Sequence, residues 1–403
     1  MMSPVPAAAP DLLPPAVQRG NIWRLAVAQA LAGANSVVVY ATGAIIGSTL
    51  APSPVLATLP ISLFVVGMAT SILPVGKIAR RYGRRAAFQT GSGAGILTGL
   101  LAAAAVILGW FWLFCLATFF GGFYAAVVLS FRFAAADGVA PKARPRALSL
   151  VMAGGIAAGV VGPQLVSSTM DLWPVYRFAV TFLMQAAVAA VAGVILSGVR
   201  VPAPTAAEQA GGRPLAVIVA QPRFIVAAAC GAVSYMLMNF LMTAAPLAMH
   251  LCGLPQTAAN LGLQWHVIAM YAPSFITGRL IVRFGAVRLS VIGLLLIGVA
   301  SVIGLGGETD LHFWGMLIML GLGWNFGFLG ASAMVLDTHT PDEKTRVQSV
   351  NDFIVFGVMV VGSFSSGGIL STYGWASVLM LSFLPLALVL ILLTVLAVRR
   401  AAD

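Results

Sequence analysis

Apolar residues in this chain fall into long unbroken runs, not the period-two alternation of a half-buried strand or the one-sided stripe of a surface helix. An α-helix needs about 20 such residues to cross a hydrocarbon core. Twelve runs of that kind lie between charged or Pro/Gly-marked breaks. The first six are Leu25 to Ile46, Val55 to Val75, Ala87 to Leu108, Phe111 to Phe133, Ala147 to Met170 and Tyr176 to Leu196. The second six are Phe224 to His250, Ala258 to Ile276, Leu289 to Leu305, Phe313 to Val335, Val347 to Leu370 and Ala376 to Val398. Between the two sets, Val201 to Pro222 carries Pro202, Pro204, Gly211, Gly212 and Pro214 with Glu208 and Arg213, and reads as a linker. Met1 to Val17 is rich in Pro and Ala and has no basic start or cleavage site, which predicts a disordered cytoplasmic tail. The expected organisation is an all-α membrane protein of twelve transmembrane helices: a tail at 1–20, a six-helix bundle at 21–199, a cytoplasmic linker at 200–222 and a second bundle at 223–403.

Composition agrees with the pattern. Of 403 residues, 60% are apolar and 8% charged, with a mean hydropathy of +1.00, whereas about a quarter of residues are charged in soluble domains. The net charge of +11 comes from short basic clusters between apolar runs, so nucleic acid is not an expected partner. These clusters set topology. With both termini in the cytoplasm, every Lys and Arg except Arg177 falls on the cytoplasmic side, including Lys77, Arg80, Arg81, Arg84 and Arg85. Asp171, Glu308 and Asp310 fall on the other face. Three cysteines at unrelated spacings form no disulfide framework and no CxxC motif.

The halves repeat. Asp137, Pro141 and Arg146 match Asp337, Pro341 and Arg346 at an offset of 200 residues, and Gly162 and Gly362 keep that register. Gly76, Arg81 and Gly83 likewise match Gly278, Arg283 and Gly285. Two parallel repeats around a site near the bilayer midplane is the plan of a transporter. There is no Walker loop, G-x-S-x-G elbow or HExxH pair, so neither ATP-driven nor hydrolytic chemistry is expected, and no cofactor.

The candidate chemistry lies between Cys230 and Met270. Met238 with Met242, and His266 with Met270, are each spaced i, i+4, which puts both members of a pair on one helix face. Met238 lies fifteen residues beyond Arg223 and His266 thirteen before Arg279. At about 1.5 Å per residue the two pairs share a depth of about 20 Å from the basic face. No Lys, Arg or carboxylate intervenes between Arg223 and Arg279. Thioether and imidazole in such a setting suit copper, above all Cu(I). Cys230, Met238, Met242, Met249 and Cys252 share roughly a third of the helix circumference, as a ladder for a soft ion or as a packing seam. Cys230 and Cys252 are accessory thiols or small buried hydrophobes, and His250 is an entry ligand or an interfacial cap. Pro246 bends this helix near Met242.

Gly76-Lys-Ile-Ala-Arg-Arg-Tyr-Gly83-Arg-Arg85 resembles the G-x-x-x-D-R-x-G-R-R loop motif of the major facilitator superfamily, and the resemblance covers the whole chain. Met238-x-x-x-Met242 followed by His266-x-x-x-Met270 resembles the paired signature of CcoA-type, CalT-like copper importers. That resemblance implies that Met238, Met242, His266 and Met270 carry copper inward across a bacterial inner membrane, supplying cytochrome oxidase assembly. Related members with similar signatures are associated with riboflavin. The loop motif's usual acid is Arg80 here and Val282 in the second copy, Ala117 replaces an arginine of the fourth helix, and Ala158 and Val166 break the antiporter motif around Gly162-Pro163. Proton-coupled drug export loses support from all three.

Asn35, Tyr40, Gln264, Trp324 and Asn325 are the polar or amphipathic side chains expected at the cavity, to orient an organic substrate or to bond neighbouring helices. Gly76, Arg81, Gly83, Asp137, Arg146, Asp337, Arg346 and Asp352 are expected to gate, with Asp352 also the candidate for proton coupling. The resulting expectation is a copper importer working by alternating access, as a monomer in the lipid bilayer with both termini cytoplasmic. A carrier of a flat organic molecule such as riboflavin, built on Trp324, Tyr40 and the amides, is the second reading, and a transport-dead copper sensor the third.

Overall fold

The computed structural model describes residues 13–136, 139, 144–200, 213–340 and 343–402, and among them every regular element is helical. The first half contains α1 (Pro15–Leu50), α2 (Leu59–Tyr82), α3 (Arg84–Leu108), α4 (Phe111–Leu129), the short α5 (Phe131–Ala136), α6 (Arg144–Thr169) and α7 (Ala179–Ser197). The short α8 (Leu215–Val219) leads to α9 (Pro222–Leu251), α10 (Gln256–Tyr271), α11 (Ser274–Phe284), α12 (Ala286–Leu305), α13 (Asp310–Leu336) and α14 (Lys344–Ala402). α1 begins at Pro15, inside the stretch assigned above to a tail, because proline suits the first helical turn, where its missing N–H is no loss.

Ten stretches are long and apolar enough to span a membrane, and the bent pair α10–α11 adds an eleventh. One of the ten, Val350–Thr394, has 45 residues. At about 1.5 Å per residue it is about twice as long as the hydrocarbon core is thick. It must therefore turn, and it does so at Gly374, whose φ of 80° only glycine adopts without strain. The twelve spans read from the sequence are thus recovered.

One of them differs in kind. The eighth, expected as a continuous helix from Ala258 to Ile276, is broken between Tyr271 and Ser274 with a 43° bend. Pro273 lies in the break, where it removes a donor from the helical ladder. Asn325 of α13 fills the gap: its Nδ2 donates to the Met270 carbonyl (2.6 Å) and to Ser274 Oγ (2.8 Å), and its Oδ1 accepts from Thr277 Oγ1 (2.6 Å).

The internal repeat is visible in packing. α1 lies along α6 as α9 lies along α14. A Cβ on Gly162 would stand 2.6 Å from Val37, and one on Gly362 2.7 Å from Met236, so equivalent glycines let equivalent helices approach. Gly83 (φ 84°) and Gly285 (φ 87°) cap the matching helices α2 and α11. Arg81 and Arg283, just before them, each lie 5.3 Å over the neighbouring ring, Tyr82 or Phe284.

The second half also holds the end of the linker. Arg213 Nε and Nη2 donate to the two Glu343 carboxylate oxygens at 2.8 Å each, the Arg213 backbone N–H donates to Oε1 (2.9 Å), and Thr340 N–H donates to Oε2 (3.0 Å). These donors, the Arg213 guanidinium first, hold the Glu343 carboxyl well below the usual range. A depressed carboxyl contributes stability above its unfolded value, about pH 4.3, and loses it as pH falls from there toward the folded value. Glu343→Gln is therefore expected to lower the melting temperature at about pH 7, and the gap to wild type is expected to narrow below about pH 4, as read by a thermal melt in detergent.

Candidate functional site

A cavity of about 110 Å³ lies between the halves, walled by α1, α2, α4, α6, α9 and α10. From α9 it receives Tyr235, Met238 and Met242, and from α10 Leu263, Val267, Met270 and, at the break, Tyr271. At about 100° per residue the three α9 positions cover one face of that helix. The first half supplies Gln29, Ser36 and Tyr40 from α1 and Phe64 and Met68 from α2. Among the described residues no Lys, Arg, Asp, Glu or His lines it.

Its aromatic wall is braced from behind. Tyr235 meets Trp324, Phe328 and Phe356 edge-on at centroid distances of 5.3, 5.1 and 5.2 Å, and Trp324 stacks on Phe328 at 5.3 Å and 13°. Tyr271 meets Trp324 edge-on at 6.2 Å. Across the cavity Tyr40 packs edge-on against Phe64 at 5.7 Å.

The halves are tied at the end away from the termini. Gln256 Nε2 donates to the Ala41 carbonyl (2.9 Å), Asn260 Nδ2 to Ser167 Oγ (2.9 Å) and Gln164 Nε2 to Gln264 Oε1 (3.0 Å), while Ser62 and Ser363 hydroxyls meet at 3.1 Å. Beneath these, Tyr40 Oη donates to Asn239 Oδ1 at 2.5 Å. The cavity runs the other way, to Leu129 at the last residue of α4, on the end that carries the basic loops.

Of the four residues expected to bind copper, Met238, Met242 and Met270 reach the cavity wall, and His266 does not. Its ring is fully buried against α13, with Nδ1 donating to the Leu317 carbonyl at 2.7 Å. A buried N–H takes the acceptor within reach, and Gly321 lets α13 come close enough to offer one. Among the described residues no group of three or more His, Cys, Asp or Glu could hold a metal. Cys230 and Met249 are buried in α9, and His250 is exposed at its end. Cys252 is a free, half-buried thiol at the α9 C-cap, and burial and the neighbouring Glu308 carboxylate push its pKa up, away from the thiolate a metal needs.

The expected polar residues divide. Tyr40 lines the cavity and Gln264 joins the halves, whereas Asn35, bonded to the Gly121 carbonyl and by Gln185, and Asn325, at the α10–α11 break, hold helices together. Trp324 stands in the second layer of the aromatic wall. Of the expected gating residues, Gly76, Arg81 and Gly83 sit at the basic end of α2 and Asp337 caps α13 on the surface. Asp352 accepts from Asn351 at 3.3 Å. Asp137 and the side chains of Arg146 and Arg346 lie outside the described residues.

Sequence reasoning missed Asn239, Gln256 and Asn260. Gln256, Asn260 and Gln264 recur at i, i+4 and i+8, a polar stripe on an otherwise apolar span, and that spacing was a usable signal.

A neutral, aromatic-walled cavity between two repeated six-span bundles, tied at one end, defines a non-enzymatic carrier of the alternating-access kind. The chain belongs to the major facilitator superfamily, whose family profile matches residues 25–259 and 227–403. It is 46% identical over 377 residues to the riboflavin transporter RfnT of Brucella anthropi, covering 93% of this chain and 94% of that protein. It is 30% identical to the uncharacterized MFS-type transporter YdeG of Bacillus subtilis, covering 87% and 84%. Among solved structures it resembles the partially occluded inward open conformation of the xylose transporter XylE from E. coli, with a TM-score of 0.70 and 12% identity over 93% of this chain and 96% of that one. The copper reading is overturned by the likeness to RfnT, and the position of His266 supplies the physical reason: the imidazole that would complete the sulfur set is held through Nδ1 on the Leu317 carbonyl and is not on the cavity wall. An i, i+4 spacing brings two side chains to one side of a helix, but it does not decide which neighbour each one meets.

Proposed function

We propose that this protein carries riboflavin across a bacterial inner membrane by rocking its two halves about the cavity. The observation that carries the proposal is the 46% identity, over nearly the full length of both chains, to a riboflavin transporter. The cavity chemistry supports it. A flat tricyclic ring presents two π faces, and Tyr235, Tyr271, Tyr40 and Phe64 offer aromatic surfaces to them. Gln29 and Ser36 offer hydrogen bonds to a polyol chain. The uncharged lining suits a neutral cargo. With the basic loops in the cytoplasm, the tied end faces outward and the cavity runs inward, an inward-facing arrangement.

The test is uptake of radiolabelled riboflavin into proteoliposomes containing the purified protein. Met238→Leu with Met242→Leu, a swap that conserves volume, is expected to keep uptake within about threefold of wild type. Tyr235→Ala is expected to reduce it by about tenfold or more, because it removes the ring that the aromatic wall is built around. Absence of riboflavin uptake by wild type would reject the assignment.

A further inference from the structure

Asn239 lies on the cavity side of α9. At about 100° per residue it stands some 40° from Tyr235 and 60° from Met242, both of which line the cavity. It has no exposed surface, and in front of it stands Tyr40, which lines the cavity and donates to its Oδ1. Among the described residues its Nδ2 has no partner, and neither has the hydroxyl of Thr243, one turn further along the same face and equally buried. Unpaired buried donors are costly, about 1–3 kcal/mol each, and where they persist they call for a role. Of the two side chains only Asn239 joins the halves, and it does so through Oδ1 on the Tyr40 hydroxyl, which leaves Nδ2 outside that bond.

We propose that Asn239 reads the cyclic imide edge of the cargo, with Tyr40 as the exchangeable occupant of its carbonyl, a proposal that rests on the riboflavin reading. A primary amide and a cyclic imide are complementary: amide Nδ2–H donates to a ring carbonyl while amide Oδ1 accepts from the ring N–H between two carbonyls. The free Nδ2 is ready for the first bond, and Oδ1 becomes available for the second when the Tyr40 hydroxyl turns from it. The phenol, already on the cavity wall, then donates to the cargo. No proton is transferred and no charge is buried. Asn239 is therefore the specificity residue that distinguishes a flavin ring from a flat aromatic of similar area without the imide.

The experiment compares riboflavin with 3-methylriboflavin, in which a methyl group replaces the imide hydrogen, as competitors of radiolabelled riboflavin uptake in proteoliposomes. Wild type is expected to prefer riboflavin by about tenfold or more, since a site built to bond an N–H rejects the analogue that lacks it. Asn239→Leu is expected to bring the two competitors to parity, and Tyr40→Phe, which keeps the ring on Phe64, to retain the preference. Should Asn239→Leu fail to reach the membrane, Asn239→Ser, too short to span both bonds, is expected to give the same parity. Uptake without discrimination in wild type, or discrimination that survives at position 239 without the amide, would overturn this inference alone. Absence of riboflavin uptake would overturn the carrier reading and this one with it.

Discussion

Asn325→Leu is expected to lower the melting temperature of the detergent-solubilised protein by about 5 °C or more and to cut uptake by about tenfold or more. The side chain is fully buried and makes three bonds at the α10–α11 break, to the Met270 carbonyl, Ser274 Oγ and Thr277 Oγ1. Leucine fills a similar volume and takes the Asn325 donor away from the Met270 carbonyl and Ser274 Oγ, each at a cost of about 1–3 kcal/mol, while Thr277 Oγ1 keeps the Pro273 carbonyl at 2.8 Å. In a helix already interrupted by a proline, lipid provides no water to replace them. The functional loss follows from position: Met270 and Tyr271, at the break, both line the cavity, so a span that reseats at this point moves the wall. A thermal melt and an uptake assay on the same preparation check the expectation. An unchanged melt would show that the break is held by something other than Asn325.

Gly122→Leu is expected to have the largest effect on folding, leaving little monodisperse protein. A Cβ at Gly122 would stand 1.9 Å from the Phe64 carbonyl oxygen and 2.6 Å from the Met68 N, and one at Gly67 2.1 Å from the Phe119 carbonyl. α2 and α4 thus approach through reciprocal glycines against backbone, which cannot rotate aside as a side chain can. Overpacking a core costs about 1–3 kcal/mol when side chains can adjust, and more where two backbones must separate. Size-exclusion chromatography of a fluorescently tagged variant reads the outcome. Gly93→Ala is the control: its Cβ meets nothing within 4 Å, and the melt is expected to hold or rise slightly. A normal elution profile for the leucine variant would show that the two helices can part without loss.

The architecture was legible because length and hydropathy decide it. Runs separated by Gly83, Gly285 and Gly374 became helices separated at those glycines, and the offset between Gly162 and Gly362 reappeared as equivalent helix pairs. The break at Pro273 was missed because proline is common in membrane helices, and whether it kinks one depends on a partner such as Asn325, fifty-two positions away in sequence. The site was read by side-chain type. Methionine, histidine and cysteine drew attention to α9 and α10, and three of the methionines do reach the cavity. Direction is settled by neighbours: His266 meets Leu317, while Asn239, lying between Met238 and Met242, carries the polar group behind the wall.

The seam that shuts one end of this carrier is made of amides, hydroxyls and a backbone carbonyl, with no ion pair among the bonds from Gln256, Asn260, Gln164 and Ser62. Opening it moves dipoles a short way and carries no formal charge across the bilayer. Voltage therefore has no handle on that seam, and dissolved salt has no counter-ions to contribute there. What opens and shuts this end is the competition among neutral groups for one another.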